Sequence, residues 1–196
     1  MTMTTQDFFK KIDDHFFTPS KLRLFEKFAE GGRQQEMWVN GMLTCLFDLL
    51  LEESSLSHWE PQFPLSEFLP LPSEGKLSQE KIDFKIVISQ SSDPIYLELK
   101  AVPWYLGDKE EFNFALFNSG YLPDDVVKLA NIKNGQRFCL VFLYPSPESD
   151  LENWKKRLGK FIEKQKPIQV SERVFANGQH SEHLYIAKLE VSYGGV

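Results

Sequence analysis

Asp83, Glu98 and Lys100 are the residues whose types and spacing can carry chemistry. They fall on two stretches, 81–89 and 95–102, separated by Gln90, Ser91, Ser92, Asp93 and Pro94. Alternating apolar and polar residues on both sides of a turn-rich segment predict the two strands of a hairpin. Period two sends Ile82, Phe84, Ile86 and Ile88 to one face of the first strand and Asp83, Lys85, Val87 and Ser89 to the other. On the second strand, Ile95, Leu97, Leu99 and Ala101 oppose Tyr96, Glu98, Lys100 and Val102. If the apolar faces share one core, the two acids and the amine emerge on the same side of the sheet. Closing the hairpin is expected to set Asp83 opposite Lys100, with Glu98 diagonal to Asp83 at a Cβ separation of about 5–8 Å. Carboxylates that close repel each other unless a cation lies between them, and hard oxygen donors suit Mg²⁺ or Mn²⁺ better than zinc. An amine beside such an ion can orient or deprotonate a water, or neutralise charge on phosphoryl oxygens. The chemistry expected of this set is metal-dependent hydrolysis of a phosphodiester bond.

The hairpin needs elements to hold it. Residues 33–53 form the best helical pattern in the chain, with Val39, Leu43, Leu46, Phe47 and Leu50 as an apolar stripe. Glu36 lies on the line of that stripe, one turn before Val39, so the helix is expected to aim its carboxylate at the core or a cleft. Two shorter helices, 5–17 and 20–30, come first, separated by Thr18, Pro19 and Ser20, with Gly31 and Gly32 ending the second. A Pro- and Ser-rich connection over 58–79 contains one expected edge strand at 62–69. After Pro103 an aromatic loop carries Trp104, Tyr105, Phe112, Phe114 and Phe117. Pro123 then opens a helix to 132, which Asn134 and Gly135 stop. An apolar strand at 137–144, a polar helix at 148–164 and a last strand at 183–191 complete the chain, with Asn177 and Gly178 as a turn before the last. This order predicts one α/β domain over 1–196, a central mixed β-sheet flanked by helices. Its parts are N-terminal helices over 5–53, a catalytic core over 33–145, and a C-terminal helix and strand over 148–192.

An acid on one strand followed by Glu98-Leu99-Lys100 on the next resembles the core motif of the PD-(D/E)XK nuclease superfamily. The tripeptide alone is unspecific, since Glu74-Gly75-Lys76 also fits it, but only Glu98 stands on the polar side of a strand pattern. The resemblance covers the element order over 33–144, with Ile82 where many members carry a proline. It implies a restriction-endonuclease-like fold. It further implies that Asp83, Glu98 and the Leu99 backbone carbonyl ligate Mg²⁺ or Mn²⁺, that Lys100 assists water activation, and that Glu36 completes the site. The implied activity is that of an endonuclease with nucleic acid, DNA before RNA, as substrate. Two alternatives stay open: a catalytically inactive nuclease-fold module that binds or regulates, and an RNA-cutting enzyme on the same scaffold. For the trio itself the plain alternative is an exposed charge cluster on a half-solvated sheet.

Composition bounds these readings. With 196 residues and 42% hydrophobic content the chain can bury one sizeable core. A net charge of −6 argues against a broad basic nucleic-acid coat, though not against a local basic strip. Lys155, Lys156, Arg157, Lys160, Lys164 and Lys166 form one such strip, equally explained as a solvated helix face. Cys45 and Cys139 are expected to be reduced, buried thiols. No secretory signal or membrane span is visible, so a cytoplasmic protein is expected; a homodimer that cuts both strands is allowed. Lys128 stands in the helix where members of that superfamily sometimes place a basic or amide residue over the metal site, but among apolar neighbours it reads first as solvated. Trp104 and Tyr105 read as core before cleft, and His180 and His183 as surface histidines. No phosphate-binding glycine loop, serine elbow or nucleophilic cysteine pattern is found, which disfavours nucleotide-driven and acyl-transfer chemistry.

Overall fold

The computed structural model describes residues 3–30, 35–65, 80–103, 116–117, 121–146, 148–165, 168–177 and 183–194. Its elements run α1 (Thr5–Phe16), α2 (Pro19–Glu30), α3 (Gln35–Glu52), β1 (Leu56–Pro64), β2 (Lys81–Ile88), β3 (Ile95–Pro103), α4 (Leu122–Ala130), β4 (Gln136–Ser146), α5 (Glu148–Lys164), β5 (Val170–Asn177) and β6 (His183–Val191). All six strands belong to one mixed sheet, ordered β1-β2-β3-β4-β6-β5. β1, β2 and β3 run antiparallel in succession, β3 and β4 are parallel, and β6 is antiparallel to both β4 and β5. A parallel pair needs a crossover connection, and α4 lies within the one between β3 and β4. The chain is thus α/β with helices on both faces of a mixed sheet.

Local chemistry explains the helices. Thr4 accepts a hydrogen bond from the Asp7 backbone N–H, and the Asp7 carboxylate accepts from the Thr4 N–H at 2.9 Å, a capping box that starts α1. Pro19 opens α2, where a missing N–H costs nothing. The stripe Val39, Leu43, Leu46, Phe47 and Leu50 of α3 is buried throughout. These three helices cover one face of the sheet over Phe84, Ile86, Leu97, Leu99, Leu140 and Phe142. α4 and α5 cover the other face, over Tyr96, Cys139, Val141, Leu143, Tyr185 and Ala187.

Several expectations need correction. The edge strand runs over Leu56–Pro64 and not 62–69; it does lie at the sheet edge, which is why it tolerates Pro61 and Pro64. β5 was not expected. It is the other edge strand, is broken by an irregularity between Glu172 and Val174, and exposes Ser171 to Val174, so it lacks clean alternation. The hairpin register is Phe84↔Leu97 and Ile86↔Ile95, which continued by one pair sets Asp83 opposite Glu98, not Lys100. The reason is an earlier turn: the Ser91 N–H bonds to the Ile88 carbonyl at 3.0 Å, and Gln90 takes a left-handed φ of 68°. Ile82 leaves the face of Phe84, Ile86 and Ile88 and packs in the core under α4 with Phe63 and Leu65. Beyond Phe84, β2 is held by β1 while its ladder to β3 has ended, so it is free to twist away. Cys139 is buried, but Cys45 is exposed because it lies off the α3 stripe; both are free thiols. Gly31, Gly32, Trp104, Tyr105, Phe112, Phe114, Lys166, Gly178 and His180 lie outside the described residues.

Candidate active site

The gap where β2 and β3 part gathers charged side chains from four elements. Asp83 stands at its mouth. One carboxylate oxygen, Oδ2, accepts the Leu99 backbone N–H at 2.8 Å, taking the place of the ladder bond that the parted strands no longer make. The other, Oδ1, accepts from Gln62 Nε2 at 3.2 Å. Gln62 itself holds a left-handed φ of 54° inside β1, an uncommon backbone state for a non-glycine residue. In an extended strand a residue's N–H and C=O lie on the same edge, so the Leu99 carbonyl also faces this gap.

Glu98, beside Asp83, is only 2% exposed. Its carboxylate meets Lys128 Nζ at 2.8 Å. Burial pushes its pKa well above the ordinary 4.5, with repulsion from Asp83 and Asp125 adding to that and Lys128 opposing it. Lys100, two residues on, lies 3.1 Å from Asp125 Oδ2 and 3.8 Å from Glu36 Oε1. Burial draws the Lys100 pKa down, but Asp125 and Glu36 together outweigh it and leave the ammonium form favoured. Lys128 is held charged in the same way: burial opposes the charge, Glu98 and Asp125 more than restore it.

Glu36 reaches the cluster from the first turn of α3, on the opposite face. Its side chain remains half-exposed by surface area, so it does not enter the core. It is nevertheless densely surrounded, and that burial is the largest cause of its raised pKa, with Lys100 opposing it and Asp83 reinforcing it; the Ala101 backbone also hydrogen-bonds to it.

The four predicted side chains, Glu36, Asp83, Glu98 and Lys100, therefore share one charge network. An exposed surface cluster is excluded by the burial of Glu98 and by the 18% exposure of the Lys100 side chain. Lys128 corrects the expectation of a solvated residue: its side chain is 15% exposed and spans Glu98 and Asp125, and its Nζ also donates to the Lys81 carbonyl at 3.4 Å. Sequence reasoning missed Asp125 and Gln62. Asp125 carried a signal, because it lies on the buried stripe of α4 with Leu122, Val126 and Leu129. Gln62 carried none, since its role depends on how β1 pairs with β2.

The arrangement can bind a hard cation or hold a water against a polarised oxygen. Among the described residues no three His, Cys, Asp or Glu side chains are grouped as metal ligands. A two-acid site would draw its third oxygen from the main chain, and the Leu99 carbonyl faces the gap. Glu98 Oε1 and Asp125 Oδ2 are buried oxygens met by ammonium groups at ion-pair distance without an aligned hydrogen bond. Donors of that kind fit Mg²⁺ or Mn²⁺. Away from the gap, Lys155, Lys156, Arg157, Lys160 and Lys164 are exposed on α5, and His183 opens β6. No helix among the described residues is long and apolar enough to cross a membrane. Comparison of the chain with protein-family models, with curated proteins and with solved structures finds no match in any of the three.

Proposed function

We propose that the chain is a divalent-metal-dependent nuclease that hydrolyses phosphodiester bonds in DNA, built on a restriction-endonuclease-like core from α3 to β4. The observation that carries this reading is the convergence of Asp83, Glu98, Lys100 and Glu36 at the gap between β2 and β3, with Glu98 buried. Four carboxylates, Glu36, Asp83, Glu98 and Asp125, face two ammonium groups, Lys100 and Lys128. When all are ionised the excess is two negative charges, the charge that one divalent cation cancels.

In this reading Asp83, Glu98 and the Leu99 carbonyl hold the ion, and Glu36 holds a bound water or adds a ligand. When bound, Mg²⁺ or Mn²⁺ supplies Lewis-acid polarisation of the phosphate and a water of lowered pKa. Lys100, fixed between Asp125 and Glu36, orients the attacking water and offsets charge that develops on the phosphoryl oxygens. Gln62 and the Leu99 N–H fix the Asp83 rotamer before any ion arrives. The exposed basic residues of α5 offer phosphate contacts, and a cytoplasmic location gives access to nucleic acid.

The test is incubation of the purified chain with supercoiled plasmid, linear duplex and RNA in Mn²⁺ or Mg²⁺. Cleavage that Lys100→Ala and Glu98→Gln each reduce by about 10²–10⁴-fold supports the enzyme. Preference among the three substrates assigns DNA or RNA. Tight Mn²⁺ binding without cleavage of any of them would replace the enzyme by a nuclease-fold binding module.

A further inference from the structure

We infer that Lys128 is a built-in counter-ion for Glu98, which a divalent cation displaces and which Asp125 then retains. The inference rests on the reading of Asp83 and Glu98 as metal-binding acids. Its own support is the position of one ammonium group between two buried carboxylates. Lys128 Nζ is 2.8 Å from Glu98 Oε1 and 3.2 Å from Asp125 Oδ1, and the acid side chains are 2% and 5% exposed.

A buried acid destined for a metal has an unfavourable metal-free state, because its charge is desolvated and repelled by neighbouring acids. An internal ammonium solves this by lending a positive charge to the empty site. The same ammonium becomes a burden once the ion arrives, since two cations then compete for one carboxylate and a displaced buried Lys would be left uncompensated. Asp125 removes that difficulty. It lies three residues before Lys128 on α4, so the two move together and their contact does not depend on β3. Its second oxygen, Oδ2, is held by Lys100 at 3.1 Å, which pins the carboxylate in place while Lys128 changes partners. Lys128 also donates to the Lys81 carbonyl, so its head group stays on the β2 side whichever acid it pairs with. The fold thus provides one mobile charge with two docks, one of which the metal reclaims.

Metal affinity is then set by competition. Mn²⁺ titrated into the metal-free chain of 196 residues without nucleic acid, followed by calorimetry at mildly alkaline pH, measures it directly. Lys128→Met is expected to lower the Kd by about tenfold or more, because the competing charge is gone. Asp125→Asn is expected to raise it by about tenfold, because Lys128 then loses one of its two carboxylates and leans on Glu98. Lys128→Arg keeps the charge and should stay within about threefold of the unaltered protein. The double variant Lys128→Met with Asp125→Asn should bind like Lys128→Met alone, a result that a merely structural role for Asp125 would not produce. A folded Lys128→Met, or Lys128→Gln where the former does not fold, with unchanged or weaker Mn²⁺ affinity overturns the inference and leaves the metal site standing. If neither the unaltered protein nor any Lys128 variant binds Mn²⁺, the metal reading itself fails and takes this inference with it. Binding confined to the Lys128 variants supports it.

Discussion

Glu98 collects the competing forces of the whole site, and its protonation has a measurable consequence for stability. Burial is the largest cause of its raised pKa, followed by Asp83 and Asp125, with Lys128 acting against them. A carboxyl whose folded pKa exceeds its unfolded one binds protons more tightly in the native state. Its penalty on folding is complete above the folded pKa and disappears below the unfolded value near 4.5. The metal-free protein should therefore gain stability from Glu98 as the pH falls through that window, and Glu36, raised chiefly by burial, contributes the same sign. His15, whose pKa burial lowers, contributes the opposite slope just below neutrality. The difference in melting temperature between the unaltered protein and Glu98→Gln isolates the effect. Glu98→Gln should be the more stable at neutral pH and lose that advantage in mild acid; an advantage independent of pH would refute the assignment. The site acids Asp83, Glu98 and Glu36 were legible from strand parity and the α3 stripe. Lys128 was legible only as the weaker of two readings, because a lysine among apolar helix positions reads first as solvated until its partners on β3 are known.

At the scale of elements, the junctions around β3 decide the geometry. Gly135, between α4 and β4, has a φ of +87°, and a Cβ there would stand 2.4 Å from the Pro94 carbonyl oxygen and 2.9 Å from the Tyr96 ring. Neither the backbone oxygen nor the conformation can easily give. Gly135→Ala should cost at least about 1–3 kcal/mol, read from chemical denaturation. It should also reduce the proposed cleavage activity, because the Gln136 N–H to Pro94 carbonyl bond that aligns β4 with β3 lies beside it. A variant as stable as the unaltered protein would show that the junction yields more than this packing implies. α3 anchors the opposite face: Phe47 is fully buried and its ring meets Phe8, Trp59 and Phe84. Phe47→Ala should destabilise by about 3–5 kcal/mol in the same measurement. A loss well under that would mean the cavity collapses. The α3 stripe was plain in the sequence since apolar spacing of three and four residues has one structural solution. The strand β5 was not, because an edge strand with an irregularity loses the alternation by which strands are recognised.

Across the molecule, the first helix is tied to the last strand by a buried ion pair. Lys188 on β6 is 1% exposed and donates to Asp13 on α1, near the Phe9 ring. Burial raises the Asp13 pKa and Lys188 restrains that rise, so the pair holds together by proximity at the cost of desolvation. Removing the acid strands a buried ammonium. Asp13→Ala should therefore cost about 3–5 kcal/mol, and Lys188→Met less, because Asp13 keeps some access to water and its partner is replaced by an apolar chain. Urea denaturation of both variants checks the order; equal losses would mean that the pair matters only as packing. No spacing in the sequence joins residues 13 and 188, since that contact depends on α1 crossing the face of β6.

The sequence by itself determined which side chains share a face, because periods of two and 3.6 are local properties of the backbone. That is why Glu98 and Lys100, two residues apart on β3, fall on one side even though the hairpin register lies two residues away from expectation. Only the tertiary structure decided where β2 parts from β3, which backbone groups the parting leaves to Asp83, and which lysine meets which acid. Those outcomes depend on the turn at Ile88, on the twist of β2 and on α4 lying over β3, none of which a run of neighbouring residues encodes.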